Sequence, residues 1–287
     1  MNAVRLLKQH RFETLCILPI TAYLFIFTLL PVFTVFKISL TDPATGSLTA
    51  GNFVILFRQA EFRSALINTV IIAVGSLTLE MSFGLLLAML LSMLGTRGGV
   101  FKSIFMMPLA VPTVVAGVMM SYMFSSSGWA NRILLDAGII EQKILWLSGG
   151  YTSLFTVMVA DAWKVTPLVM LILLAGLQSI DRQLYRAARI DGASGWYVFR
   201  WVTLPLLMPS ITAAVIIRGI DAFRIFSLAL VLMGENLKVI GTYAYLEFAE
   251  YNNQYLSAAA AVVLFVLIMT AVLSYFRCTV AGKGSLS

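Results

Sequence analysis

Six ionisable residues fall inside apolar stretches of the sequence: Glu80, Asp161, Lys164, Arg218, Asp221 and Arg224. Each costs about 2.5–3.5 kcal/mol or more at the centre of a membrane helix unless it is paired or wetted. Three are acidic and three basic, so the set is neutral. Such residues either line a polar path or pair with one another. Asp161 and Lys164 lie three residues apart, so one helix face can hold both as a pair. Arg218, Asp221 and Arg224 repeat that step and form one broad stripe that drifts slowly around the helix. Two adjacent helices with complementary stripes can pair across their interface or wall a cavity for a polar solute, and both readings stay open. Glu80 is alone on its segment, with helix packing and pore lining weighing equally.

A second segment, 178–205, differs in kind. Leu184, Ala187, Ala188 and Ile190 stand among Arg182, Arg186 and Arg189, a pattern that predicts a short amphipathic helix. Gly192 can end that helix in a tight turn. Trp196, Phe199 and Val202 follow at three-residue spacing, which predicts a second amphipathic piece. Pro205 and Pro209 are expected to break the chain before the next apolar run. A helix–turn–helix with exposed apolar and arginine side chains suits docking into a groove on a partner, or resting on lipid.

The elements that must position these residues follow from composition. Of 287 residues, 60% are hydrophobic and only 11% charged; mean hydropathy is +0.93. Soluble domains carry about 25% charged residues, so a soluble enzyme, a disordered chain and a disulfide scaffold are excluded. The chain reads as an all-α polytopic membrane protein. Six spans are expected, at about 15–36, 66–94, 104–124, 154–177, 211–233 and 258–276. The first is too long an apolar run for a cleaved signal. With the N-terminus inside, eleven basic residues, Arg5, Lys8, Arg11, Arg97 and Lys283 among them, oppose three acids, Glu13 among them, for a cytoplasmic charge of +8. The other side holds six basic and seven acidic residues, for −1. Excess Lys and Arg in short loops marks the cytoplasmic face, so the topology is N-in, C-in and the 178–205 loop is cytoplasmic. Cys16 and Cys278 stand at opposite ends of the chain and are expected to be small buried residues rather than a disulfide. His10 is the lone histidine, no Cys/His cluster suggests a metal, and no G-x-x-x-x-G-K-[ST] loop suggests ATP binding. No catalytic residue and no nucleic-acid partner are expected; the +7 net charge is topological.

The residues of the loop carry a specific resemblance. Ala187-Ala188, Asp191-Gly192-Ala193 and Leu204-Pro205 match the spacing of the E-A-A-x-x-x-G-A loop of ABC-importer permeases. Asn68-Thr69, Pro108 to Pro112, Asn131, Trp163-Lys164 with Pro167, Ala175 to Gln178, and Arg218 to Phe226 resemble the carbohydrate-type members, the maltose and glycerol-3-phosphate permeases. Two departures are Arg186, where the family has Glu, and Gly234-Glu235-Asn236, where it has G-G-P.

The resemblance implies a type I importer permease fold, divided into 1–64 (tail, first helix and outer loop), 65–280 (a five-helix transmembrane domain holding the 178–205 coupling loop) and the tail 281–287. It implies half of a translocation pore in a bacterial or archaeal cytoplasmic membrane. The partners would be a second, related permease, two copies of an ATPase subunit that hold the ATP and Mg, and an extracytoplasmic solute-binding protein. The cargo would be a sugar or oligosaccharide moved by alternating access, with an anionic solute such as glycerol-3-phosphate or a glycerophosphodiester as the alternative and an ion channel further behind. ATPase coupling falls to Tyr185, Arg186, Ala187, Ala188, Asp191, Gly192, Ala193, Leu204 and Pro205. The solute path falls to Asp161, Trp163, Lys164, Arg218, Asp221 and Arg224. Trp163 offers a flat face on which a sugar ring can stack, or it is a packing residue.

Overall fold

A computed structural model describes residues 11–95 and 98–284, with side chains over 15–95 and 98–277. Arg5, Lys8, His10 and Arg97 lie outside the described residues, as do the side chains of Arg11, Glu13, Cys278 and Lys283 and the end of the 281–287 tail. Among the described residues the secondary structure is helical apart from an isolated bridge between Thr41 and Leu48.

Five helices are long and apolar enough to cross a membrane. They are α1 (Leu15–Ser39), α3 (Ala60–Leu94), α7 (Gly150–Ser179), α9 (Gly195–Phe223) and the last helix, which spans over Gln254–Arg277. A sixth span exists if α4 (Gly98–Ala110) and α5 (Thr113–Met123) count as one, but they meet at 94°. The span expected over 104–124 is therefore bent, and it begins earlier, at Gly98. Pro112 carries no N–H, and it disfavours helical backbone at Val111 before it. The fifth span also differs from expectation. It ends at Phe223, and α10 (Ser227–Met233) is a separate short helix. Apart from Arg218, Asp221 and Arg224 the stretch stays apolar on both sides of the break, so average hydropathy does not mark it. At its other end α9 does not break at the prolines. The backbone winds as a wider turn over Phe199–Thr203, Pro205 enters the first turn of the following helix, and the helix runs on through Pro209. An early helical position tolerates proline because its N–H would have no intrahelical partner.

The chain forms two compact units. One comprises Met1–Gln59 and Ala244–Val263. In it α1 is exposed along its apolar length, and Cys16 is exposed and free rather than buried. Helix α2 (Gly51–Arg58) is tied back by Asn52, whose amide donates to the carbonyls of Ser39 and Thr41 at 2.9 Å each.

The other unit comprises Ala60–Tyr243 and Leu264–Ser287. Its centre is the crossing of α3 and α7. Gly84 lies against Val169 and the Met170 backbone, where an added Cβ would come within 2.7 Å of the valine side chain; a small residue is what lets the two backbones approach. One apolar cluster joins Ala88 and Leu91 to Val169, Met170, Leu173 and, on α9, Leu207 and Ala214. Another joins Ile72 to Met120, Val157, Ala160 and, on α10, Leu228, Ala229 and Leu232. The intramembrane charges fall between these clusters. Asn131, on α6 (Trp129–Asp136), is 1% exposed. It holds the following loop by donating to Ile144 O and accepting from Ile144 N and Trp146 Nε1 at 2.9–3.1 Å.

Candidate functional site

Helices α3, α7 and α9 each deliver one buried charge to the same point. On α3 the buried residues Ala65, Thr69, Ala73, Ser76, Glu80, Gly84 and Ala88 recur at three- and four-residue steps, the signature of a single inward face. Glu80 stands in that row with no exposed surface. The Arg218 guanidinium meets it bidentately: Nε donates to Oε2 and Nη2 to Oε1, both at 2.7 Å. The same Nη2 donates to Asp161 Oδ2 on α7 at 3.3 Å, and Nη1 lies 3.5 Å from Asp221 Oδ2, one turn further along α9. Arg218 thus holds three carboxylates, and no buried charge of this group stands alone. Breaking a lone buried pair costs about 3–5 kcal/mol because the remaining charge is left uncompensated; here the loss of one carboxylate still leaves Arg218 two others.

The expected pairing of Asp161 with Lys164 does not form. Asp161 turns to Arg218 instead, because the planar fork of a guanidinium can serve several carboxylates at once. Among the described residues Lys164 and Arg224 have no ion-pair partner within 4.0 Å. Both line a cavity of about 520 Å³ together with Asp161, Arg218 and Asp221. The breaks in the helices shape it, since Leu109 and Thr113 flank the α4–α5 bend and Arg224 to Leu228 bridge the α9–α10 break. Of the six expected solute-path residues, five face this cavity. Trp163 does not line it, because it projects from a different side of α7 and is 36% exposed. Glu80, which sequence reasoning left undecided, is a partner of Arg218 behind the wall. The small-residue row around it is the signal that places it inside.

The 178–205 segment forms the expected helix–turn–helix. In α8 (Arg182–Ile190), the Asp181 carboxylate caps the start by accepting from Gln183 N at 2.8 Å. Gly192 takes φ +70°. Its N–H donates to Arg189 O, and Ala193 N–H donates to Ala188 O, which is a Schellman close. Ser194 then caps the start of α9 by accepting from Tyr197 N. Leu184, Ala187, Ala188, Asp191, Gly192 and Ala193 line a groove of about 600 Å³ that Tyr197 and Val202 complete. Arg186 is on the opposite side and exposed, and Tyr185 turns in, its hydroxyl 3.2 Å from that of Thr203. Leu204 and Pro205 lie beyond the groove, in the first turn after the widened winding.

Residues 80–278 match the model of the binding-protein-dependent transport system inner membrane component family. The chain belongs to that family. A trehalose/maltose transport system permease protein of Thermococcus litoralis is 35% identical over 94% of each chain. An arabinooligosaccharides transport system permease protein of Bacillus subtilis is 31% identical over 93% of this chain and 88% of that one. A lactose transport system permease protein of Rhizobium radiobacter is 32% identical, over 74% and 72%. A bacterial ABC transporter described as importing the acidic polysaccharide alginate superimposes with a TM-score of 0.83 over 96% of both chains, at 22% identity. The fold is that of ABC-importer permeases, and this member of the family is a multi-pass membrane protein.

Proposed function

We propose that this chain is one of two pore-forming permeases of an ATP-driven importer for a sugar or oligosaccharide. The observation that carries this is the cavity walled by Asp161, Lys164, Arg218, Asp221 and Arg224 among apolar helices. Its size falls within the several hundred Å³ usual for small-molecule sites. Carboxylates and cations side by side offer acceptors and donors to sugar hydroxyls. The relatives named as trehalose/maltose, lactose and arabinooligosaccharide permeases support the same cargo class. An anionic phosphodiester is less well served, since Asp161 and Asp221 share the wall with the cations.

The assembly contains a second permease, two ATPase subunits that bind ATP and Mg, and an external binding protein that delivers the solute. It sits in the cytoplasmic membrane of a bacterium or archaeon, with both termini and the α8 groove on the cytoplasmic side, where an ATPase element seats in the groove. Nucleotide-driven closure of the ATPases biases a bistable helix arrangement, so that the cavity opens to each side in turn. The test is uptake by the complete complex in proteoliposomes with its binding protein. Labelled disaccharide should accumulate only with ATP. Uptake of a glycerophosphodiester and not of sugar would overturn the cargo, and ATP-independent flux would overturn the importer reading.

A further inference from the structure

The cavity wall depends on a residue that does not touch the cavity. Glu80 has no exposed surface and is absent from the cavity lining, yet it makes the two shortest contacts of the Arg218 guanidinium. A bidentate grip fixes both the position and the plane of a guanidinium. With Nε and one Nη2 hydrogen committed to Glu80, the remaining donors point at Asp161 and Asp221. Those two carboxylates are held differently. Each makes a single ion-pair contact with Arg218, of 3.3 or 3.5 Å, and the Asp221 side chain is 53% exposed. Each also has an unpaired cation three residues further along the chain, Lys164 after Asp161 and Arg224 after Asp221. The pair with Glu80 is therefore the fixed part of the network, and the cavity carboxylates are the exchangeable part.

Holding helices together does not require this arrangement. Buried ion pairs are weak contributors to stability, and well-packed apolar residues of similar volume often serve as well or better. Building a fully buried glutamate into an apolar helix makes sense if its product is an aimed guanidinium.

We propose that Glu80 is a positioning residue for transport: it sets the Arg218 guanidinium so that Asp161 and Asp221 are presented along the cavity wall. Without it, Arg218 is drawn toward Asp161 and Asp221 and collapses the polar pattern the solute meets. Misplacing a working group by about 1 Å can cost a hundredfold, so a large effect on transport at small cost in assembly is expected. The inference rests on the importer reading, and wild-type complex run beside each variant separates the two. If wild type fails to take up sugar, the importer reading is at fault; if only the variants fail, Glu80 is being tested.

The experiment compares Glu80→Gln, Glu80→Asp and the double change Glu80→Met with Arg218→Met in the full complex. It measures assembled complex, ATP hydrolysis stimulated by loaded binding protein, and uptake per assembled complex. Glu80→Gln should assemble and hydrolyse ATP but lose roughly tenfold or more in uptake, so that ATP used per solute rises by the same factor; the double variant, in which Lys164 and Arg224 remain beside Asp161 and Asp221, should do the same. Glu80→Asp, which keeps the charge but shortens the reach, should recover part of the loss. Normal uptake per complex by the double variant would overturn the proposal, because the pair would then be a helix tie that apolar packing replaces. Failure of all three variants to assemble would also overturn it, assigning the pair to folding alone.

Discussion

Arg218 is the residue on which the intramembrane chemistry converges, and its geometry changes what a test at Asp161 and Lys164 means. Those two residues do not neutralise each other. Replacing them together, as Asp161→Asn with Lys164→Gln, removes one exchangeable contact of Arg218 and one unpaired cavity cation while leaving the net charge unchanged. Glu80 and Asp221 still compensate Arg218, so no buried charge is orphaned. The double variant should appear in the membrane at near wild-type level and hydrolyse ATP when the loaded binding protein docks. Its uptake should fall roughly tenfold or more, the size of effect expected when positioned polar contacts are lost. Normal uptake by a well-assembled variant would remove both residues from the solute path. Trp163 lies off the cavity wall, so any effect of changing it reads as packing.

At the scale of elements, the α8 turn is the feature most sensitive to backbone chemistry. Gly192 sits at φ +70°, where a side chain costs about 1–2 kcal/mol and proline, with φ fixed near −65°, cannot sit at all. Gly192→Pro should therefore unseat the Schellman close and misdirect Ala193 and Ser194. Ala187→Glu leaves the backbone alone but places a long charged chain in the groove that Ala187, Ala188 and Asp191 line. Both variants should keep the cavity intact yet lose ATP-driven uptake. Uptake by either at the wild-type rate in reconstituted complex would show that the groove does not seat the ATPase. Two helix interruptions belong to the same scale. The α4–α5 bend and the α9–α10 break both open onto the cavity, and interrupted helices at a polar site are a recurring device in membrane transporters.

For the whole molecule, unpartnered surface defines what is missing from a single chain. α1 is exposed along its apolar length, which lipid or another permease must cover. On α8, Arg182, Arg186 and Arg189 fall on one side at four- and three-residue steps, away from the groove, and among the described residues none has an ion-pair partner. A cleft that receives this helix should present acidic or neutral side chains to Arg186. Arg186→Glu should then reduce co-purification of the ATPase by several-fold at low salt, with the difference shrinking as ionic strength screens it. More ATPase retained by Arg186→Glu than by wild type would show that the receiving cleft is basic.

Local chemistry explains which of these features the sequence by itself determined. The long apolar runs, the amphipathic helix at 182–190 and its glycine turn depend on neighbours a few residues apart, and their spacing was readable directly. Ion-pair choice was not. Glu80 and Arg218 are 138 residues apart, and nothing local tells a carboxylate which cation will reach it. Lys164, at the favoured spacing from Asp161, lost it to a guanidinium on another helix. The same applies to the broken spans: hydropathy counts apolar residues, while the bend at Pro112 and the end of α9 at Phe223 are backbone events that composition does not register. The cavity exists only where these breaks and the α3–α7–α9 crossing meet, so tertiary packing alone decided which charged residues share it and left Trp163 outside.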